Sequence, residues 1–225
     1  MKKQVIILLI LAFVGTLGMR VYWLNKKDGM FLDEVFSVSF SNYNGFLAFY
    51  EYEYNKVYTG KELKKITLGM NNSLTSDLVN LWKDSQDTYH SNYYYSLLRI
   101  FLMGEKSGNV NSVMQRASML NLILFSFSFF LFFLLLKIIF KSNLIAIVGC
   151  FCVFATPGSI SNTLFIREYQ LQETMLLLCL YVYYWFFEQE YQHQNNHKKK
   201  VKFLIIFSLC CSLFLLSGYF SIVFL

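Results

Sequence analysis

Two carboxylates stand side by side at Asp33 and Glu34, shortly after an apolar N-terminal run. Charges so close to a bilayer surface are costly to desolvate and need a reason to be there. An enzyme acting on a lipid-linked substrate would hold its base at that depth. The competing reading is a helix N-terminus, where carboxylates complement the dipole. A second candidate is Arg167, in the stretch from Asn162 to Leu171. Arg167, Gln170 and Thr174 fall at i, i+3 and i+7, so they share one helix face. A polar stripe on an apolar helix should face protein or a water-filled cavity rather than lipid. A helix N-terminus beside a guanidinium suits phosphate oxygens. Against this stands an arginine that reaches the headgroups and pairs with Glu168. A third cluster, from Asp84 to Arg99, holds Asp87, His90 and the tyrosines 93–95. Those tyrosines also fit an interfacial belt. His90 fits either a surface position or a metal site shared with Asp87.

The elements that must position these groups are apolar. The chain of 225 residues is 56% hydrophobic and 19% aromatic, with a single proline, which marks an integral membrane protein. Its net charge of +6 sits largely in short lysine clusters beside apolar runs, so it points to membrane orientation and not to nucleic acid. All five cysteines lie inside apolar segments, and none has zinc-site spacing, so neither a disulfide framework nor a cysteine metal site is expected. Five runs approach the length needed to cross a bilayer, near 4–24, 117–136, 143–161, 165–187 and 203–225. The expected fold is therefore all-α: a polytopic transmembrane helix bundle with about five spans. A helical outer-face loop domain over 25–116 separates the first span (1–24) from the other four (117–225).

Met1-Lys-Lys3 before an apolar stretch also fits a signal peptide. Thr16-Leu-Gly18 is a weak cleavage site, however, and the apolar run continues through Leu24, which favours an uncleaved span. Lys2 and Lys3, Lys137 and Lys141, and the Lys198–Lys202 cluster mark three cytoplasmic segments. The N-terminus is then cytoplasmic, and 25–116 lies outside the cytoplasmic membrane. The last residues, Phe224 and Leu225, sit inside an apolar run with no polar tail, which predicts a truncated chain.

The loop segment carries helix signals of its own. Thr59-Gly-Lys-Glu62 has the form of a capping box. Leu74, Leu78, Leu81 and Trp82 mark one face of an amphipathic helix suited to the headgroup layer. Another helix is predicted from Tyr93 through Leu102, followed by a polar turn from Gly104 to Asn111.

Together these stretches resemble the N-terminal part of a GT-C glycosyltransferase, the superfamily of the dolichyl-phosphate-mannose protein mannosyltransferases and the aminoarabinose transferases of lipid A. Phe31-Leu-Asp-Glu-Val35 occupies the place of that superfamily's acidic motif after span one. Asp87, His90 and Tyr94-Tyr-Ser-Leu-Leu-Arg99 follow the order of a second motif. Ser91-Asn92 stands where many bacterial members have two prolines, and the Asp-to-His spacing is one residue longer. Arg116 and Arg167-Glu-Tyr-Gln-Leu171 match the basic residues that open later spans. Known members are longer than this chain.

The resemblance implies sugar transfer, in building a cell-envelope glycan, from a polyprenyl-phosphate donor to a hydroxyl of a glycan, lipid or protein acceptor. It assigns Asp33 and Glu34 to catalysis and Arg167 to the donor phosphate. Asp87, His90, Tyr94 and Gln170 would line the substrate pocket. No metal ligand is assigned, and a divalent cofactor stays open. Two other classes stay open as well: a polysaccharide polymerase or ligase, and a non-catalytic component of glycan assembly or export.

Overall fold

A computed structural model describes residues 3–42, 56–84, 92–192, 197–218, 221 and 223. Ten helices and no strand occur among them. Helix α1 (Lys3–Leu24), helix α6 (Val110–Phe140) and the Lys200–Ser217 part of helix α10 (His197–Ser217) are long and apolar enough to cross a membrane. They coincide with the first, second and fifth expected spans. The 31 residues of α6 exceed what the hydrocarbon layer needs, since a rise of about 1.5 Å each makes roughly 46 Å against roughly 30 Å. Its polar first turns, from Val110 to Arg116, form the surplus.

The expected third span is broken. Helix α7 (Asn143–Phe154) and helix α8 (Pro157–Leu164) meet at a 67° bend. The proline explains the break. It lacks an N–H and pushes the preceding residue out of the helical region, and Thr156 has ψ 146°. The Thr156 hydroxyl then accepts from the Ser159 N–H and starts the next helix. Helix α9 (Tyr169–Gln192) takes the place of the expected fourth span. Gln170, Gln172, Glu173 and Thr174 in its first turns keep it out of the group of three.

Helix α6 is the central post of the bundle, with α9, α7 and α1 packed around it. Phe125, Phe129 and Phe154 form the middle of its core, and Phe13 of α1 packs against two of those rings. Helices α9 and α10 close a smaller cluster on Cys179, Cys210 and Phe214.

The segment between α1 and α6 folds over one end of this bundle as helix α2 (Leu32–Ser41), helix α3 (Gly60–Leu68), helix α4 (Leu74–Asp84) and helix α5 (Asn92–Phe101). Thr59 caps α3 as its spacing predicts: its hydroxyl accepts from the Glu62 N–H, and Glu62 accepts from the Thr59 N–H at 2.7 Å. Leu81 turns inward, while Trp82 stays partly exposed and donates from Nε1 to Ser96 at 3.0 Å. A buried ion pair joins α5 to α4, with Arg99 Nε 2.6 Å from Asp77 Oδ2. The turn before α6 depends on Gly108, whose φ of +67° suits glycine. A Cβ there would also lie 2.3 Å from the Lys64 carbonyl oxygen. Gly108→Ala should therefore lower stability by about 1–3 kcal/mol, read as a lower melting temperature of the detergent-solubilised protein.

Candidate functional site

The two neighbouring carboxylates have different surroundings. Both lie in the first turn of α2, whose cap residue Phe31 is extended, with ψ 160°. Asp33 is exposed and Glu34 is fully buried. Phe31 has no side-chain acceptor, so only the return half of a capping box forms: its N–H donates to Glu34 Oε2 at 2.8 Å. The other oxygen, Oε1, accepts from Lys27 Nζ and from the Ile166 N–H, the latter at 2.8 Å. Lys27 also donates to the Leu164 carbonyl at 2.9 Å. Glu34 and Lys27 thus fasten the start of α2 to the link between α8 and α9. Each bond to a charged group here replaces a hydration shell that burial removes.

Arg167 follows Ile166 in that link, as Asp33 precedes Glu34 in α2. The single bond between Glu34 and Ile166 therefore brings Asp33 and Arg167 to the same end of the bundle. Arg167 is mostly buried. Its Nε lies 3.6 Å from Glu168 Oε2, and neither of those two atoms has a hydrogen-bond partner. The guanidinium is ion-paired with Glu168 and makes no hydrogen bond among the described residues.

Tyr94 sits behind this link. It is fully buried and donates to Asn121 Oδ1 at 3.1 Å. Asn121 in turn donates to the carbonyls of Thr163 and Phe165, at 3.1 and 2.8 Å. Burial, with the charge of Glu168 adding to it, pushes the Tyr94 phenol well above its ordinary value, so it stays a neutral donor. Tyr94 holds the Arg167 link in position from within.

Gln170 is likewise committed. Its Oε1 lies 2.7 Å from Thr163 Oγ1, and its Nε2 donates to Ser128 Oγ and Glu173 Oε1, both at 3.2 Å. Thr174 extends the network with a 2.9 Å bond to Ser128. The polar stripe on α9 faces protein, with Gln170 and Thr174 both buried. Asp87 and His90 lie outside the described residues. Among those described, no three His, Cys, Asp or Glu side chains gather as a metal site needs.

Arg20 has a place the sequence analysis missed. It is fully buried within α1. It donates to Thr163 Oγ1 at 2.9 Å, Ser159 Oγ at 2.7 Å, and the carbonyls of Thr16 and Phe154 at 3.0 and 2.9 Å. Its guanidinium carbon lies 3.6 Å from the centroid of the Phe125 ring. The Phe154 carbonyl belongs to the last turn of α7, beside the break at Pro157, so Arg20 repairs the broken helix from across the bundle. The signal for this was an arginine preceded by sixteen uncharged residues, Gln4 to Met19.

A groove of about 650 Å³ opens beside the candidate site. Met19, Trp23, Phe31, Ile160 and Phe165 give it apolar walls, and Lys26 and Lys27 stand on its rim. Fold and site together define an all-helical protein whose longest apolar helices suit a membrane, with a carboxylate, a guanidinium and an apolar groove at one end. Comparison with protein-family models, curated proteins and solved structures yields no match for the chain.

Proposed function

We propose that this protein is a membrane glycosyltransferase of the GT-C kind, moving a sugar from a polyprenyl-phosphate donor to an acceptor hydroxyl on the outer face of the membrane. The observation that carries this reading is the Glu34–Ile166 bond, which brings an exposed carboxylate and the guanidinium of Arg167, paired with Glu168, to one end of the bundle. In the proposed reaction Asp33 accepts the proton of the acceptor hydroxyl as its oxygen attacks the anomeric carbon. The bond from that carbon to the phosphate oxygen breaks, and the lipid phosphate leaves with the electron pair. Arg167 stabilises the charge that develops on it. Glu34 acts as a positioning residue for both. The groove rimmed by Lys26 and Lys27 has the apolar character an isoprenoid chain requires. In this reading α7 with α8, and α9, complete five spans, and the lysine clusters hold the opposite end of the bundle in the cytoplasm.

A non-catalytic role in glycan assembly draws support from one observation: both oxygens of Glu34 are engaged in structure. The two readings separate on donor binding. Membranes carrying the protein are incubated with a labelled polyprenyl-phosphate sugar, and retained donor and product are measured. Arg167→Ala should weaken donor binding at least tenfold, the loss expected when a charge-assisted phosphate contact worth about 1.5–3 kcal/mol is removed. Unchanged donor affinity in that variant would overturn the assignment.

A further inference from the structure

At the other end of the bundle, the ends of α6 and α9 and the start of α7 surround a groove of about 360 Å³. Its wall grades along the helix axes. Leu134 and Ile138 are apolar, Tyr181 and Trp185 follow on α9, and Lys137 and Lys141 stand at the mouth. Trp185 is 45% exposed. An aromatic pair between an apolar wall and a charged rim is what the boundary of a bilayer selects.

The charges of this groove are unbalanced. Lys141 pairs with Glu188, whereas Lys137 has no ion-pair partner among the described residues. Two ammonium groups face one carboxylate, so the mouth is positive. Asn143, at the first turn of α7, also lines the groove with a buried Oδ1 that has no hydrogen-bond partner. Lys141 holds the turn from α6 to α7 in a left-handed conformation, with φ 54°. Residues other than glycine rarely adopt that conformation.

We infer that this groove seats one anionic phospholipid, with its phosphodiester against Lys137 and Lys141 and an acyl chain along Leu134 and Ile138. Charge complementarity chooses the lipid: a positive mouth favours a headgroup of net negative charge over a zwitterion. The apolar wall excludes a free phosphate ion as the better occupant, since half of the groove would gain nothing from it. Glu188 tunes the site by occupying one of its two cations. The inference is independent of sugar transfer, because the groove lies at the opposite end of the bundle from Asp33.

The test uses the full chain in neutral detergent, with Trp23 and Trp82 replaced by Phe so that Trp185 is the only tryptophan. Fluorescence is followed during titration with short-chain phosphatidylglycerol and, separately, phosphatidylcholine of the same chains. Phosphatidylglycerol should give a saturable change with a midpoint at least tenfold lower. Lys137→Gln should raise that midpoint about fivefold, the equivalent of about 1 kcal/mol for one lysine near a phosphate. Glu188→Gln should lower it severalfold, because it frees Lys141, and a misfolded variant does not gain affinity. Equal midpoints for the two lipids would overturn the inference, as would a Glu188→Gln variant that binds phosphatidylglycerol no better than its parent.

Discussion

Asp33→Asn should reduce sugar transfer by about 10²–10⁴-fold while leaving the folded protein intact. The magnitude is that of a lost general base. The folded state is spared because the Asp33 carboxylate is exposed and bonds to nothing among the described residues. The neighbouring substitution should behave in the opposite way. Glu34→Gln leaves Lys27 facing a neutral amide in a buried place and weakens the tie to Ile166. Breaking one side of a buried ion pair costs about 3–5 kcal/mol. Glu34→Gln should therefore melt at a lower temperature, and what activity it keeps should track its folded fraction. Transfer from the labelled donor and thermal unfolding in detergent, measured on both variants, separate the two roles. An Asp33→Asn variant that transfers sugar at the parent rate would remove the base from the mechanism.

Arg20→Met should destabilise the protein by about 2–4 kcal/mol without changing any group at the candidate site. Three bonds from Arg20 to other elements are lost, to Phe154, Ser159 and Thr163, together with the face contact on Phe125. Hydrogen bonds between helices in a membrane average only about 0.6 kcal/mol each. The ring contact adds about 2 kcal/mol when desolvated. Added to these is the Phe154 carbonyl, left bare beside the break. Arg20→Lys keeps the charge but loses the planar fork, so it should fall between parent and Met variant. A melting temperature for Arg20→Met equal to the parent's would mean that the break at Pro157 holds without it.

The sequence was readable where a residue type permits few structures. The capping box at Thr59, the helix from Leu74 through Trp82 and the glycine turn before α6 each have one favoured geometry, and the structure adopts it. The apolar runs at α1, α6 and α10 were readable for the same reason. Hydropathy failed at α2, whose buried residues are Glu34, Ser37, Val38, Ser39, Phe40 and Ser41. Four of these six are polar, so an apolar pattern could not reveal which carboxylate turned inward. Gln170 illustrates the same limit. Its helix face was legible, but the Thr163 and Ser128 hydroxyls that claim its amide come from other helices. Arg20 gave no sign of its role because the partners that make it tolerable lie more than a hundred residues away.

Helix α2 is synthesised long before the residue that anchors it. Glu34 receives its bond from Ile166, 132 positions later in the chain. A ribosome that has released only α1 to α5 has produced both acidic side chains, and for Glu34 the partners Lys27 and Phe31, but not Ile166. The candidate site is therefore completed late, when the turn leading into α9 closes a long loop back to α2. Until then, a nascent chain carries Glu34 without its tie to the link before α9.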